Sequence, residues 1–231
     1  MPNITLYSLT ADAARQLPSH SMHVNKTKSD LAILGIAYTE EKLTFAQSDK
    51  SMLRIRLRSL SGSTPANPPR PLPIPDAHRF ARFIASWTDN DMALSIRQLF
   101  RPLFYDLMDP VSAEYFLRVR YQGKADELES HRSALKDIQQ VETMAERARQ
   151  SLNLLESYLA ATSGPFFLGK EASHADSIVY GWYCCSQVNA RVVNPKLWYH
   201  PSLPKVGAWV DAMKKRTGVD VTFPELDGYA Y

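Results

Sequence analysis

Apolar and polar positions alternate over residues 3–9, Asn-Ile-Thr-Leu-Tyr-Ser-Leu, which predicts a β-strand. A polar loop follows, carrying Pro18 and a Ser-His-Ser-Met-His cluster at 19–23. Asn25 is placed to cap a helix whose apolar side is Leu31, Ile33 and Leu34, and Gly35 suits its C-terminal stop. Residues 36–45 read as a second strand. Strand, helix and strand joined by short links form a βαβ unit, in which the two strands run parallel.

The pattern then changes twice. Over residues 52–60, Met52, Leu53, Ile55, Leu57 and Leu60 are separated by Arg54, Arg56 and Arg58. This is a strand with one basic face, either a solvated sheet edge or an anion-binding surface. Pro65, Pro68, Pro69, Pro71, Pro73 and Pro75 follow, a run that continues neither a helix nor an inner strand and marks a stiff linker. Beyond it the period becomes helical. Phe80, Phe83, Ile84 and Trp87 share one face of a helix opened by Pro75 and Asp76, which extends with a break at Pro102 to about residue 108. Pro110 opens another helix, ending near Gly123. Residues 126–161 carry one long stripe of Val141, Met144, Ala145, Ala148, Leu152, Leu155 and Leu159. Two more helices span 173–189 and 201–215, and the tail from 219 to 231 has no periodicity. The fold class that follows is α+β with two domains: an α/β part over 1–64, a linker over 65–75 and an all-helical part over 76–231.

Composition narrows the function. A net charge of +3 over 231 residues, with acids and bases interleaved, makes no case for nucleic acid, which demands basic residues gathered on one face. No stretch approaches the roughly 18 apolar residues of a membrane helix, so no membrane partner is expected. The start of the chain lacks the basic-then-apolar pattern of a signal peptide. The two cysteines, Cys184 and Cys185, are adjacent, poorly placed for a disulfide with each other, and have no metal or redox spacing. A reducing, cytoplasmic setting and no metal are expected.

The strongest local motif is Gly164-Pro-Phe-Phe-Leu-Gly-Lys-Glu-Ala-Ser-His-Ala-Asp176. Ser173 and Asp176 have capping-box spacing: the serine oxygen caps the Asp176 amide and the carboxylate reaches back to the Ser173 amide. This stretch resembles the motif that opens the central core helix of the C-terminal domain in the glutathione S-transferase family, an "F-hydrophobic-x-G, then S-x-A-D" pattern. The segment from His200 to Met213, His-Pro-Ser-Leu-Pro-Lys-Val-Gly-Ala-Trp-Val-Asp-Ala-Met, resembles that family's "hPxLxxWxxxM" pattern. Ile4-Thr-Leu-Tyr-Ser and the stretch from Ser19 to Tyr38 look like its opening strand, active-site loop and first helix, in the style of fungal serine-type or beta-etherase-like members. The resemblance covers residues 3–45 and about 76–215.

The resemblance implies a thioredoxin-like N-terminal half, glutathione as co-substrate and a homodimer. In that family a hydroxyl or thiol near the start of the first helix hydrogen-bonds the glutathione sulfur. A hydroxyl donor and a helix N-terminus both favour the thiolate, which is the nucleophile. Ser21 is the first candidate for that donor, Ser19 the second and Tyr7 the third. His20, His23, Lys26 and Lys28 are candidates to hold glutathione. Phe100, Phe104, Tyr105, Tyr115 and Tyr121 are candidates for an apolar pocket holding a hydrophobic, electrophilic acceptor.

The pattern breaks in one place. The family continues with an antiparallel strand pair and a helix, with a cis-proline before the third strand and an acidic-Ser pair at the next helix. Those elements need close to ~30 residues, whereas only 48–64 precede the proline run, and the one Asp-Lys-Ser at 49–51 is not that pair. The thioredoxin-like half is therefore expected to be shortened. Function divides between a glutathione-dependent transferase and a non-catalytic interaction or ligand-carrying protein of the same fold, with an anion or nucleic-acid binder using Arg54, Arg56, Arg58 and Arg70 as a third, weaker reading.

Overall fold

The computed structural model describes residues 4–12, 14–45, 47 and 77–229. The basic stretch at 52–60, the proline run, Asp49 to Ser51 and the boundaries drawn at 64 and 75 all lie outside the described residues. Within them the chain is α+β: a βαβ unit set against a body of helices.

Strand β1 (Thr5–Leu9) and strand β2 (Thr39–Leu43) pair in parallel, with Thr5 opposite Thr39 and Leu9 opposite Leu43. Helix α1 (Met22–Ile33) is the crossover between them. It starts three residues before the predicted cap. Ser21 is the N-cap, accepting the Val24 amide, while the Asn25 amide turns into the core and donates to the Ser19 carbonyl at 3.1 Å. The correction has a physical reason: a side-chain amide with a buried backbone acceptor in reach no longer competes as a cap. Gly35, at φ 67°, ends α1 as predicted.

Helix α2 (Ala77–Trp87) runs through a π-turn at Thr88–Met92 and short helical pieces to Leu107. Helix α3 (Pro110–Arg120) has Pro110 in its first turn and Asp109 as its cap. The long stripe expected over 126–161 divides into α4 (Ala125–Ala134) and α5 (Ile138–Ala161). Asp137 makes the division: its carboxylate accepts the Gln139 and Gln140 amides and starts a new helix, while Leu135 stays fully buried between the two. Helix α6 (His174–Ser186) is buried along almost its whole length. Helix α7 (Pro204–Thr217) starts later than predicted because Glu156 of α5 accepts the Lys205 and Val206 amides and so fixes where the first turn lies. No helix among the described residues is long and apolar enough to cross a membrane.

Asp176 organises this body. Fully buried, its carboxylate accepts the Phe167 amide at 2.9 Å, the Ser173 amide at 2.9 Å, the Ser173 hydroxyl at 2.7 Å and the Trp209 indole at 2.9 Å. Burial pushes this carboxyl upward and the donated hydrogen bonds oppose the push. The predicted capping box is present, and the same side chain also binds the preceding loop to α7. Phe167 stacks on Trp209 at 5.3 Å, which closes the arrangement.

The βαβ unit is held to the body through α1. A Cβ on Gly181 of α6 would lie 2.5 Å from the Met22 carbonyl, so the two backbones meet there without room for a methyl group. Asp30 bonds to His174 at the start of α6, and Arg216 of α7 donates to the Ile33 carbonyl at 2.8 Å.

Two expected outcomes follow. Asp176→Ala strands three buried N–H donors and should cost about 3–5 kcal/mol, with Asp176→Asn losing less. Urea denaturation checks both, and a loss under ~1 kcal/mol for the alanine variant would refute the role given to Asp176. Gly181→Ala should cost roughly 1–3 kcal/mol by overpacking the α1–α6 contact, read from the same denaturation curves.

Candidate functional site

A cleft of about 280 Å³ lies where the βαβ unit meets the helices. Its βαβ wall is built from Leu9 at the end of β1, His20, Ser21, Met22 and His23 at the start of α1, and Phe45 just after β2. Its helical wall carries Asp89 and Ala93 from the π-turn region, Arg97, Phe100, Arg101 and Phe104 from the irregular run after it, Phe116 and Arg120 from α3, and Trp182 and Cys185 from α6.

The loop leading into α1 is braced before it reaches the cleft. The Ser19 hydroxyl donates to the Leu9 carbonyl at 2.7 Å and accepts the Ser21 amide, and Thr10 donates to the Leu17 carbonyl at 2.9 Å. Ser19 is fully buried, and its hydroxyl is used in tying the loop to β1. Ser21 lines the cleft. Its oxygen accepts the Val24 amide at 3.4 Å, and its hydroxyl proton has no acceptor among the described residues. Tyr7, the third hydroxyl candidate, is 55% exposed on β1 and is not part of the cleft wall.

Of the residues proposed to hold glutathione, His20 and His23 line the cleft, whereas Lys26 and Lys28 do not. Lys28 instead pairs with Glu40 at 2.6 Å. The His20 ring sits between Phe45 and Phe104, at 5.3 Å from each, and neither of its buried nitrogens has a hydrogen-bond partner. Burial, with the Arg120 charge adding to it, pushes this imidazole down from 6.5 to about 4, so it is neutral near pH 7. Burial and the Lys26 charge also lower His23, which Asp89 and Arg120 pull in opposite directions.

Of the five aromatics proposed for an apolar pocket, Phe100 and Phe104 line the cleft. The three tyrosines are not among its lining residues. Tyr115 stacks on Phe45 at 4.8 Å, Tyr121 lies 5.6 Å beneath the Arg101 guanidinium, and Tyr105 lies beneath Arg132. Residues that sequence reasoning passed over are Phe45, Asp89, Arg97, Arg101, Phe116, Arg120 and Trp182. A signal existed for part of this set: Arg97 and Arg101 are four residues apart, as are Phe100 and Phe104, so helical spacing gathers a basic pair and an aromatic pair.

Cys185 is on the wall but is not poised to react. Its thiol donates to the His20 carbonyl at 3.0 Å, and burial pushes it up to about 12, so the thiolate is not populated at neutral pH. The start of α1 offers the cleft a free hydroxyl donor and the positive end of a helix. Among the described residues no three His, Cys, Asp or Glu side chains gather in a metal-binding cluster.

The family profile described as "Glutathione S-transferase, C-terminal domain" matches residues 80–200. No curated protein matches the chain by sequence. Among solved structures, the chain is similar to a glutathione S-transferase of Ceriporiopsis subvermispora in complex with glutathione, at 18% identity and TM-score 0.68, covering 94% of this chain and 98% of that one. A second glutathione S-transferase from the same organism, also with glutathione, aligns at 14% identity and TM-score 0.55 over 94% and 99% of the two chains. Glutaredoxin 2 of Salmonella typhimurium in complex with glutathione aligns at 15% identity and TM-score 0.50 over 96% and 97%. At these identities the likeness is one of fold.

The pH dependence of the cleft is predictable from His20. A histidine whose folded pKa lies below its unfolded value binds fewer protons when folded, so its contribution is complete above about pH 6.5 and is lost as pH falls toward about 4. Between about pH 7 and about pH 4 the wild type should lose roughly 2–3 kcal/mol more stability than His20→Gln. Parallel denaturation curves of the two proteins test this, and equal slopes would show that His20 is not neutralised by burial.

Proposed function

Since this chain belongs to the glutathione S-transferase family, matched through its C-terminal domain, we propose that it binds glutathione in the cleft and activates the thiol for attack on an electrophilic organic acceptor. The observation that carries the reading is the Ser21 hydroxyl, free to donate, at the N-terminus of α1 and on the wall of a cleft with an aromatic opposite side. Three of the similar solved structures are described with glutathione bound, which supports the same ligand here.

The chemistry follows from the surroundings. A free thiol with pKa near ~8.5 is mostly protonated at neutral pH. Placed at the first turn of α1, its sulfur accepts a hydrogen bond from Ser21 and meets the helix's partial positive charge, and both stabilise the anion over the neutral thiol. The thiolate then forms a carbon–sulfur bond with an acceptor held against Phe100, Phe104, Phe116 and Trp182. The bond to a leaving group breaks, or a proton is added where the acceptor is an activated double bond. His20, neutral beside the site, adds no charge to it. With Ser21 in this role, Ser19 serves the loop, and the enzyme is of the serine type that the fungal and beta-etherase-like members represent.

Ser21→Ala tests the reading. It should raise the apparent pKa of the bound thiol toward that of free glutathione and lower turnover with a generic electrophile by roughly 10- to 100-fold at neutral pH, with glutathione affinity changed much less. Ultraviolet titration of the bound thiolate and steady-state kinetics read the two effects. An unchanged thiol pKa would remove Ser21 from the mechanism, and absence of any calorimetric heat with glutathione would reduce the protein to a non-catalytic member of its fold.

A further inference from the structure

The cleft holds more charge than a thiol and an apolar acceptor call for. Arg97, Arg101 and Arg120 converge on its helical wall, and Asp89 is the one carboxylate among its lining residues. None of the three arginines forms an ion pair among the described residues. Arg101 donates instead to the Arg120 carbonyl at 3.2 Å and rests over the Tyr121 ring. The cations are close enough to act on one another, since the charges of Arg101 and Arg120 join burial in lowering Arg97. Like charges gathered in a partly desolvated cleft repel, so the arrangement is unfavourable until a counter-charge enters.

His20 supplies the second observation. It is 8% exposed, lines the same cleft, and has both ring nitrogens buried without a partner. Buried polar atoms in folded proteins are nearly always satisfied, so an unsatisfied imidazole on the wall of a cavity marks a place where a polar ligand group, reached by a small turn of the ring, gains a hydrogen bond. On the same lining, Phe100, Phe104 and Phe116 provide a surface for a ring. Guanidinium forks match carboxylate, phosphate and sulfonate oxygens, often in pairs, and give directional as well as electrostatic recognition.

We infer that the acceptor taken by this cleft is an organic anion with an aromatic or conjugated body, its charged end held by Arg97, Arg101 and Arg120 and its apolar part against Phe100, Phe104 and Phe116. The identification of the anion as the acceptor rests on the transferase reading above, and the anion site itself does not.

The test uses the full chain and the fluorescent probe 8-anilinonaphthalene-1-sulfonate, displaced by phenylacetate, by phenyl phosphate and by the neutral phenylacetamide, with and without saturating glutathione. In the wild type the two anions should displace the probe at least tenfold better than the amide, and added salt should shrink that margin. Which anion is preferred distinguishes a carboxylate from a phosphate acceptor. The double variant Arg97→Gln/Arg120→Gln, checked for folding by its thermal melt, should lose the margin while its calorimetric glutathione affinity stays within twofold of wild type. Equal displacement by the amide, or no probe fluorescence at all, overturns the inference. So does a double variant that loses glutathione affinity yet keeps its preference for anions, because the arginines would then serve the tripeptide's own carboxylates. Anion preference in a wild type that gives no heat with glutathione keeps the anion site and refutes the transferase reading instead.

Discussion

One buried carboxylate accounts for much of the architecture. Asp176 receives hydrogen bonds from the loop at Phe167, from both the amide and the hydroxyl of Ser173, and from the indole of Trp209. Burying a charge is tolerated when its acceptor capacity is filled, and four donors fill it. The consequence is geometric. The loop before α6, the first turn of α6 and the middle of α7 are fixed relative to a single atom group, so α6 enters the core at one angle and presents one face to what packs on it.

That face sets the site. Gly181 lies one turn beyond Asp176 on α6, and its missing side chain lets the Met22 carbonyl of α1 approach. The Cys185 thiol, a further turn along, donates to the His20 carbonyl. Together with Arg216 at the far end of α1 and Asp30 beside His174, these contacts place the N-terminus of α1 against the helical wall. Two paired strands are a marginal structure on their own. For the two strands among the described residues the helical body supplies burial through α1, and the cleft is the seam where the two parts meet.

The electrostatic character of that seam separates it from a simple apolar pocket. Aromatic rings form its floor, but the groups with unmet capacity are cationic or polar: three guanidiniums without carboxylate partners among the described residues, one neutral imidazole with two unused nitrogens, and one serine hydroxyl with a free proton. Unmet capacity in a water-poor cleft is where a ligand gains most, because the protein does not have to break existing bonds to receive it.

Local chemistry made several elements legible from sequence alone. The Ser173–Asp176 spacing announced the start of α6, the apolar stripe from Val141 to Leu159 announced α5, the short links announced a βαβ unit, and the hydroxyl cluster at 19–23 contained the residue that caps α1. These depend on neighbours within a turn or two, which the order of residues displays directly. The rest was decided by contacts between distant segments. Glu156 of α5 fixed where the first turn of α7 lies, forty-nine residues further on. Three tyrosines with the right chemistry for a pocket were left off its wall, against Phe45, Arg101 and Arg132 instead. Arg120 came to lie beside Arg97 and Arg101 because α3 folds back along the irregular run after α2. Sequence determined which elements form; the tertiary structure decided where several of them begin and which side chains share a cleft, because packing direction depends on partners far along the chain.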